Sequence, residues 1–185
     1  MSYKTDDINK LFEQSFNCKE IKINDIPNID LYIDQIIKIF EDKLSDVKSD
    51  DKLITKSMVN NYSKEKLIAP VKGKKYTREQ IFQILLIFNL KGILSIQDIK
   101  KITNTIMLSK NSEDSIMETF NHYEDNSKYT DSLCKLICDN LINKFDEKIT
   151  MEELTSVLLS ISQVCNMLKH TAELITEKFY NFEEK

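Results

Sequence analysis

Thr55-Lys-Ser-Met-Val-Asn-Asn-Tyr-Ser-Lys-Glu-Lys-Leu-Ile-Ala-Pro-Val-Lys-Gly-Lys-Lys-Tyr-Thr-Arg-Glu-Gln80 is the stretch that decides how this chain folds. Its first part spaces Met58, Val59 and Tyr62 on one side of a short helix and leaves Lys56, Asn60, Asn61, Ser63 and Lys64 largely on the other. Thr55 or Ser57 supplies the N-cap, Leu67 and Ile68 end the helix, and Pro70 prevents its continuation. Lys72-Gly73-Lys74-Lys75 lies between Val71 and Tyr76, which reads as a small hairpin or extended turn with Gly73 free to take a positive φ. Thr77-Arg-Glu-Gln80 is a capping box. It opens a helix carrying Ile81, Phe82, Ile84 to Phe88 and Leu90, apolar on nearly every side and therefore expected at the centre of the fold. Gly92 stops it, and Ser95-Ile-Gln-Asp98 caps a further helix with Ile96, Ile99, Ile102, Ile106 and Met107. Helix, basic turn, capped helix, Gly stop and capped helix form the order of a winged helix-turn-helix module.

Outward from this module the chain reads as helical framework. Ile8, Leu11, Phe12 and Phe16 suit a short helix, followed by a turn around Pro27. Leu31 to Leu44 carries Ile33, Ile36, Ile37, Phe40 and Leu44 on one stripe, with Asp30 available as N-cap and the polar run Ser45–Lys52 as a loop. Ser112 starts a helix holding Ile116, Met117, Phe120 and Tyr123, Asp125–Tyr129 is a polar break, and Leu133, Leu136, Ile137, Leu141 and Phe145 mark another helix. After a second capping box, Thr150-Met-Glu-Glu153, comes the cleanest periodicity in the chain. Met151, Leu154, Leu158, Ile161, Cys165, Leu168, Ala172, Ile175, Phe179 and Phe182 alternate spacings of three and four, a coiled-coil-like seam on a helix of roughly 48 Å. The expected fold is mostly α: a helical extension at 1–24, the winged helix-turn-helix domain at 25–108 and a helical C-terminal region at 109–185.

The totals agree with that class. Of 185 residues only two are Gly and two Pro, and 41% hydrophobic with 30% charged residues describes an ordinary globular chain. The net charge of −4 conceals an asymmetry. From Lys52 to Arg78 eight cations face one anion, a local charge of +7, so the remainder carries −4 − 7 = −11. A basic island in an acidic chain directs any polyanion to that island alone. Cys18, Cys134, Cys138 and Cys165 lack paired CxxC spacing and are read as buried free thiols rather than metal ligands. No secretory segment and no apolar run of membrane-spanning length is visible, so the expectation is a cytoplasmic protein without a membrane partner.

The order of Tyr62, Leu67-Ile68, Pro70, the basic turn, Tyr76-Thr77, Ile81, the long apolar helix and Gly92-Ile-Leu-Ser-Ile96 resembles the DNA-binding domain of MerR-like regulators. It is more closely similar to a bacterial domain-of-unknown-function family placed beside them. The residues that carry this second likeness are Asp30-Leu-Tyr-Ile-Asp-Gln-Ile36, Leu53-Ile-Thr-Lys-Ser-Met-Val-Asn-Asn-Tyr62 and Lys74-Lys-Tyr-Thr-Arg-Glu-Gln-Ile81. The likeness covers roughly residues 25 to 105. It implies a winged helix with DNA as partner; the Cys ligands of metal-sensing relatives are not matched, so it implies neither metal nor cofactor. Where MerR-like proteins carry Gly before the Leu-Ile pair, this chain has Lys66.

The candidate DNA contacts are Lys56, Asn60, Asn61, Lys64, Lys72, Lys74, Lys75 and Arg78. An Asn amide pairs bidentately with adenine or donates to a phosphate, although Asn61 could equally bond the adjacent loop. Three lysines on a tight turn can neutralise consecutive phosphates. Lys56 and Lys64 suit phosphates or a solvated face. Arg78 sits where the helix dipole disfavours a cation, which points to a phosphate contact or an ion pair. Tyr62 and Tyr76 are read as packing residues. No nucleophile elbow, Gly-rich phosphate loop or HExxH occurs, and His122 and His170 stand far apart, so no enzyme is expected. The leading reading is a DNA-binding regulator, with a homodimer through the Met151–Phe182 seam or packing of that seam within a helical domain. The alternative is a protein-binding adaptor on the same scaffold.

Overall fold

The computed structural model describes residues 2–16, 20–44, 54–108 and 112–180. Cys18, Leu53, the expected loop Ser45–Lys52 and Phe182 lie outside the described residues. Strand β1 (Ser2–Lys4) leads directly into helix α1 (Thr5–Phe16), and a single 3-10 turn spans Ile23–Asp25. Strand β2 (Leu31–Tyr32) precedes helices α2 (Ile33–Lys43) and α3 (Lys56–Lys64). Strand β3 (Lys75–Tyr76) then leads into α4 (Arg78–Leu90), α5 (Ile96–Met107) and α6 (Ser112–Ile142), and strand β4 (Lys148–Thr150) into α7 (Met151–Phe179). The chain is thus mostly helical, in keeping with its scarcity of Gly and Pro, with two small antiparallel ladders among the described residues.

These elements fall into two compact units. One takes residues 19–122 together with 171–185. Its core is organised around α4, where Ile81, Phe82, Ile84, Leu85 and Ile87 are at most 1% exposed. Burying each such side chain contributes about 1.5–3 kcal/mol, which is why the helix with the least amphipathic pattern is the central one. Phe40 from α2 meets Phe88 edge-on at 5.1 Å between centroids, and Phe120 from α6 tilts onto Phe82 at 5.5 Å. The Thr77 box forms as the sequence requires, with the Thr77 N–H donating to Gln80 Oε1 at 2.9 Å. Ser95 Oγ accepts from the Asp98 N–H at 3.1 Å and caps α5.

The other unit takes residues 1–18 and 123–170. In it β1 pairs antiparallel with β4, Ser2 opposite Thr150 and Lys4 opposite Lys148, and Thr5 Oγ1 donates to the Asp146 carbonyl at 2.5 Å. Its core is small: Ile8, Ile142, Ile149 and Val157, flanked by Tyr3, Phe12, Leu141, Phe145, Leu154 and Ile161.

The two units do not divide at 24 and 108: residues 2–16 assemble with 123–170, where β1 finds its partner in β4. Three local expectations are corrected. The helix expected from Leu31 begins at Ile33, because Leu31 and Tyr32 are taken up in the ladder with Tyr76 and Lys75; Asp30 is not its cap, and the Tyr32 N–H donates instead to Gln35 Oε1 at 2.9 Å. Asp125–Tyr129 is not a break. It contains no Gly or Pro, and an Asp125–Lys128 ion pair at 2.6 Å and a Ser127 Oγ bond to the Glu124 carbonyl at 3.0 Å support α6 through it. The three described thiols are free, but Cys134 and Cys138 are only half-buried and Cys165 is exposed, one turn past Ile161, the last α7 residue packed on that unit's core. On α7 the seam is divided: Leu154 and Ile161 pack inward, whereas Met151, Leu158, Leu168, Ile175 and Phe179 are 43–63% exposed. No described helix is long and apolar enough to cross a membrane.

Candidate nucleic-acid interface

Helix α3 is assembled from local signals at both ends. Thr55, rather than Ser57, is its cap, accepting the Met58 N–H at 3.1 Å. At the other end the Lys66 N–H reaches the Ser63 carbonyl at 3.1 Å and the Leu67 N–H reaches the Tyr62 carbonyl at 2.9 Å, which is a Schellman closure. That closure puts Lys66 at φ 58°, the one described non-Gly residue with positive φ. Leu67 and Tyr62 are both buried, as the motif's hydrophobic contact requires. Val59 and Tyr62 anchor the helix inward, and burial pushes the Tyr62 phenol above its ordinary pKa, with the same effect at Tyr76.

The opposite face of α3 is exposed at Lys56, Asn60, Asn61 and Lys64. Spacing of four places Lys56, Asn60 and Lys64 in one row, and Asn61 stands about 100° further round. Lys56 is not solitary: its ammonium lies 2.7 Å from the Asp34 carboxylate in the first turn of α2. Both partners are well exposed, so the pair is worth at most about 1 kcal/mol and yields readily to a phosphate.

The basic turn is held shut by Gln80, which does more than complete the Thr77 capping box. Gln80 is buried, and its Oε1 accepts from Thr77 while its Nε2 donates to the carbonyls of Ala69 at 3.1 Å and Pro70 at 3.0 Å. Gln83, one turn on, accepts the Ala69 N–H at 2.8 Å. Two amides at i and i+3 on an otherwise apolar helix were the available signal, since a buried Gln must find backbone partners. Between these anchors Gly73 takes φ 83°, and Lys72, Lys74 and Lys75 are all exposed. Neither Lys72 nor Lys74 meets a described carboxylate; Lys75, opposite Tyr32 in the ladder, holds its ammonium 5.1 Å from the Tyr32 ring centroid.

Arg78 differs from the lysines. Its guanidinium stands 5.2 Å from the Phe82 ring centroid, and its Nε is buried without a hydrogen-bond partner. It lines an open cavity of about 310 Å³ with Asn28, Ile29, Asp30, Thr77 and Glu79. Two carboxylates beside it lessen the pull on an anion.

Two exposed arrays, the α3 face and the three-lysine turn, thus converge in sequence on a mostly helical domain. Residues 21–126 match the family model described as "Domain of unknown function (DUF1836)", more than half of the chain. The chain belongs to that family, and the matched residues nearly coincide with the first piece of the α4-centred unit, residues 19–122. No curated protein and no solved structure matches the chain.

Proposed function

We propose that this protein binds duplex DNA through a winged helix of MerR-like kind, with the α3 face carrying Lys56, Asn60, Asn61 and Lys64 toward the major groove and Lys72, Lys74 and Lys75 on the adjacent backbone, as a regulator of transcription. The observation that supports this most is the accessibility of the turn's cations: a closed loop presents three ammonium groups to solvent, and Lys72 and Lys74 have no described carboxylate to satisfy them. Counterion release at such a loop supplies affinity without sequence preference, and the Asn60 and Asn61 amides supply base-edge contacts. Arg78, stacked on Phe82, supports the turn's base more than it reaches outward.

Fluorescence anisotropy against mixed-sequence duplex at two salt concentrations tests the reading. Wild type binds with a steep salt slope, and Lys72→Ala/Lys74→Ala/Lys75→Ala loses about three units of it. Failure of wild type to bind even at low salt removes the DNA reading and leaves the protein-binding adaptor, which the −11 charge of the remainder of the chain favours.

A further inference from the structure

Among the described residues of the unit formed by 1–18 and 123–170, ten large apolar side chains are exposed and four are buried. A core that thin does not sustain a unit of this size on its own terms, and association is the common remedy. Three of the exposed ten, Tyr129, Leu133 and Leu136, are 68%, 58% and 59% accessible and stand at i, i+4 and i+7 on α6. Helical geometry puts Asn126, Ile137 and Asn140 on the same arc of about 100°. Lys128, Asp131, Lys135 and Asp139 all fall outside that arc. The last three line a cavity of about 470 Å³ with Asn9, Phe12 and Glu13 of α1, so the arc lies away from α1. In a chain that is 30% charged, about four helical turns carry a stripe with no charged side chain.

Counted from Leu133, Asn126 at −7 mirrors Asn140 at +7 and Tyr129 at −4 stands opposite Ile137 at +4, while Leu136 at +3 is opposite Thr130 at −3. We propose that a second copy of this chain covers this arc, the two α6 helices packing antiparallel about a two-fold axis at Leu133. Leu133 then meets its own counterpart, and Tyr129 packs over Ile137 of the second copy. Asn126 faces the second copy's Asn140, whose Nδ2 already donates to the Leu136 carbonyl at 2.7 Å and whose Oδ1 is left to accept. An isologous contact sets each patch against itself, so a charge near the axis would meet its like; this arc brings none. An external partner has no use for an Asn placed at equal distances on either side of Leu133. The three apolar side chains and their neighbours cover roughly 500 Å² per chain, at the low end of specific interfaces, the size of a reversible contact rather than of an obligate dimer. This inference is independent of the DNA reading.

Sedimentation velocity from about 1 to 200 µM, bracketing a micromolar Kd, is the test, on wild type, on Leu133→Glu/Leu136→Glu and on Leu158→Glu of α7. Wild type is expected to pass from monomer to dimer over this range. The α6 double variant is expected to stay monomeric with unchanged far-ultraviolet circular dichroism, and Leu158→Glu to associate like wild type. A wild type that is monomeric throughout overturns the proposal. Association that survives the α6 substitutions overturns it too, and if Leu158→Glu abolishes that association, the contact belongs to the α7 seam.

Discussion

Lys66 occupies a left-handed conformation that costs a side chain roughly 1–2 kcal/mol and costs glycine almost nothing. Its N–H and that of Leu67 close α3, so the strain is offset by two hydrogen bonds and the Leu67–Tyr62 contact. Lys66→Gly should therefore raise stability by about 1 kcal/mol, read as an increase in urea midpoint at unchanged slope. No change would mean that the denatured-state entropy of glycine cancels the relief. Asp98 carries the other prediction at this scale. Hydrogen bonds from Ser95 and from the Lys101 ammonium at 3.1 Å hold its carboxyl below the ordinary value of 3.8. Its ionised form is thus favoured more in the folded than in the unfolded chain. The stability it contributes is present above about pH 4 and is lost as pH falls through the lowered value. Urea midpoints measured from pH 5 down to 2 should drop more steeply for wild type than for Asp98→Asn.

Elements were legible in the sequence where their signals are local. Thr77 with Gln80, Ser95 with Asp98 and the arrest at Gly92 need only neighbours within a turn, and α4 and α5 follow from them. Pairings across long separations were not: nothing near Ser2 names Thr150 as its partner, and nothing near Leu31 names Tyr76. The Asp125–Tyr129 segment failed for another reason. Its polarity suggests a break, but polar residues interrupt a helix only when they lack helical partners, and here an i,i+3 ion pair provides them. At the candidate site the exposed row on α3 was readable from its period, whereas the Gln80 clamp and the Asp34–Lys56 pair depend on where distant segments arrive. The continuity of α6 makes its own prediction. Ser127→Pro removes a backbone donor and clashes with the preceding turn, so it should cost about 3 kcal/mol in thermal or urea unfolding. In a loop the same substitution would shift stability by less than about 0.5 kcal/mol.

At the scale of the molecule, apolar burial is distributed unevenly. Among the described residues, twenty-three buried side chains form the α4-centred core and four form the other. Opening free energies follow burial, so amide exchange should be slowest in α4 and fastest in the unit containing β1 and β4. Equal protection in both units would mean that the smaller core opens only with the larger one. The basic island is the corresponding electrostatic unevenness, +7 between Lys52 and Arg78 against −11 elsewhere. A partner approaching from solution feels that contrast within about a Debye length of roughly 8–10 Å, and added salt should weaken the approach first.

The β1–β4 ladder also sets an order of events at the ribosome. Ser2 pairs with Thr150, so the strand is translated 148 residues before its partner exists. At about 5–20 residues per second that is a wait of roughly 7–30 s. By the end of that interval residues 19–122, which supply nearly all of the larger core, have been translated, the last of them 28 residues before Thr150, and the segments around α4 can already begin to collapse. A nascent chain halted before β4 should therefore carry a protease-resistant centre and an unclaimed leading strand, which is the form in which this protein is most open to chaperones and to misplaced pairing.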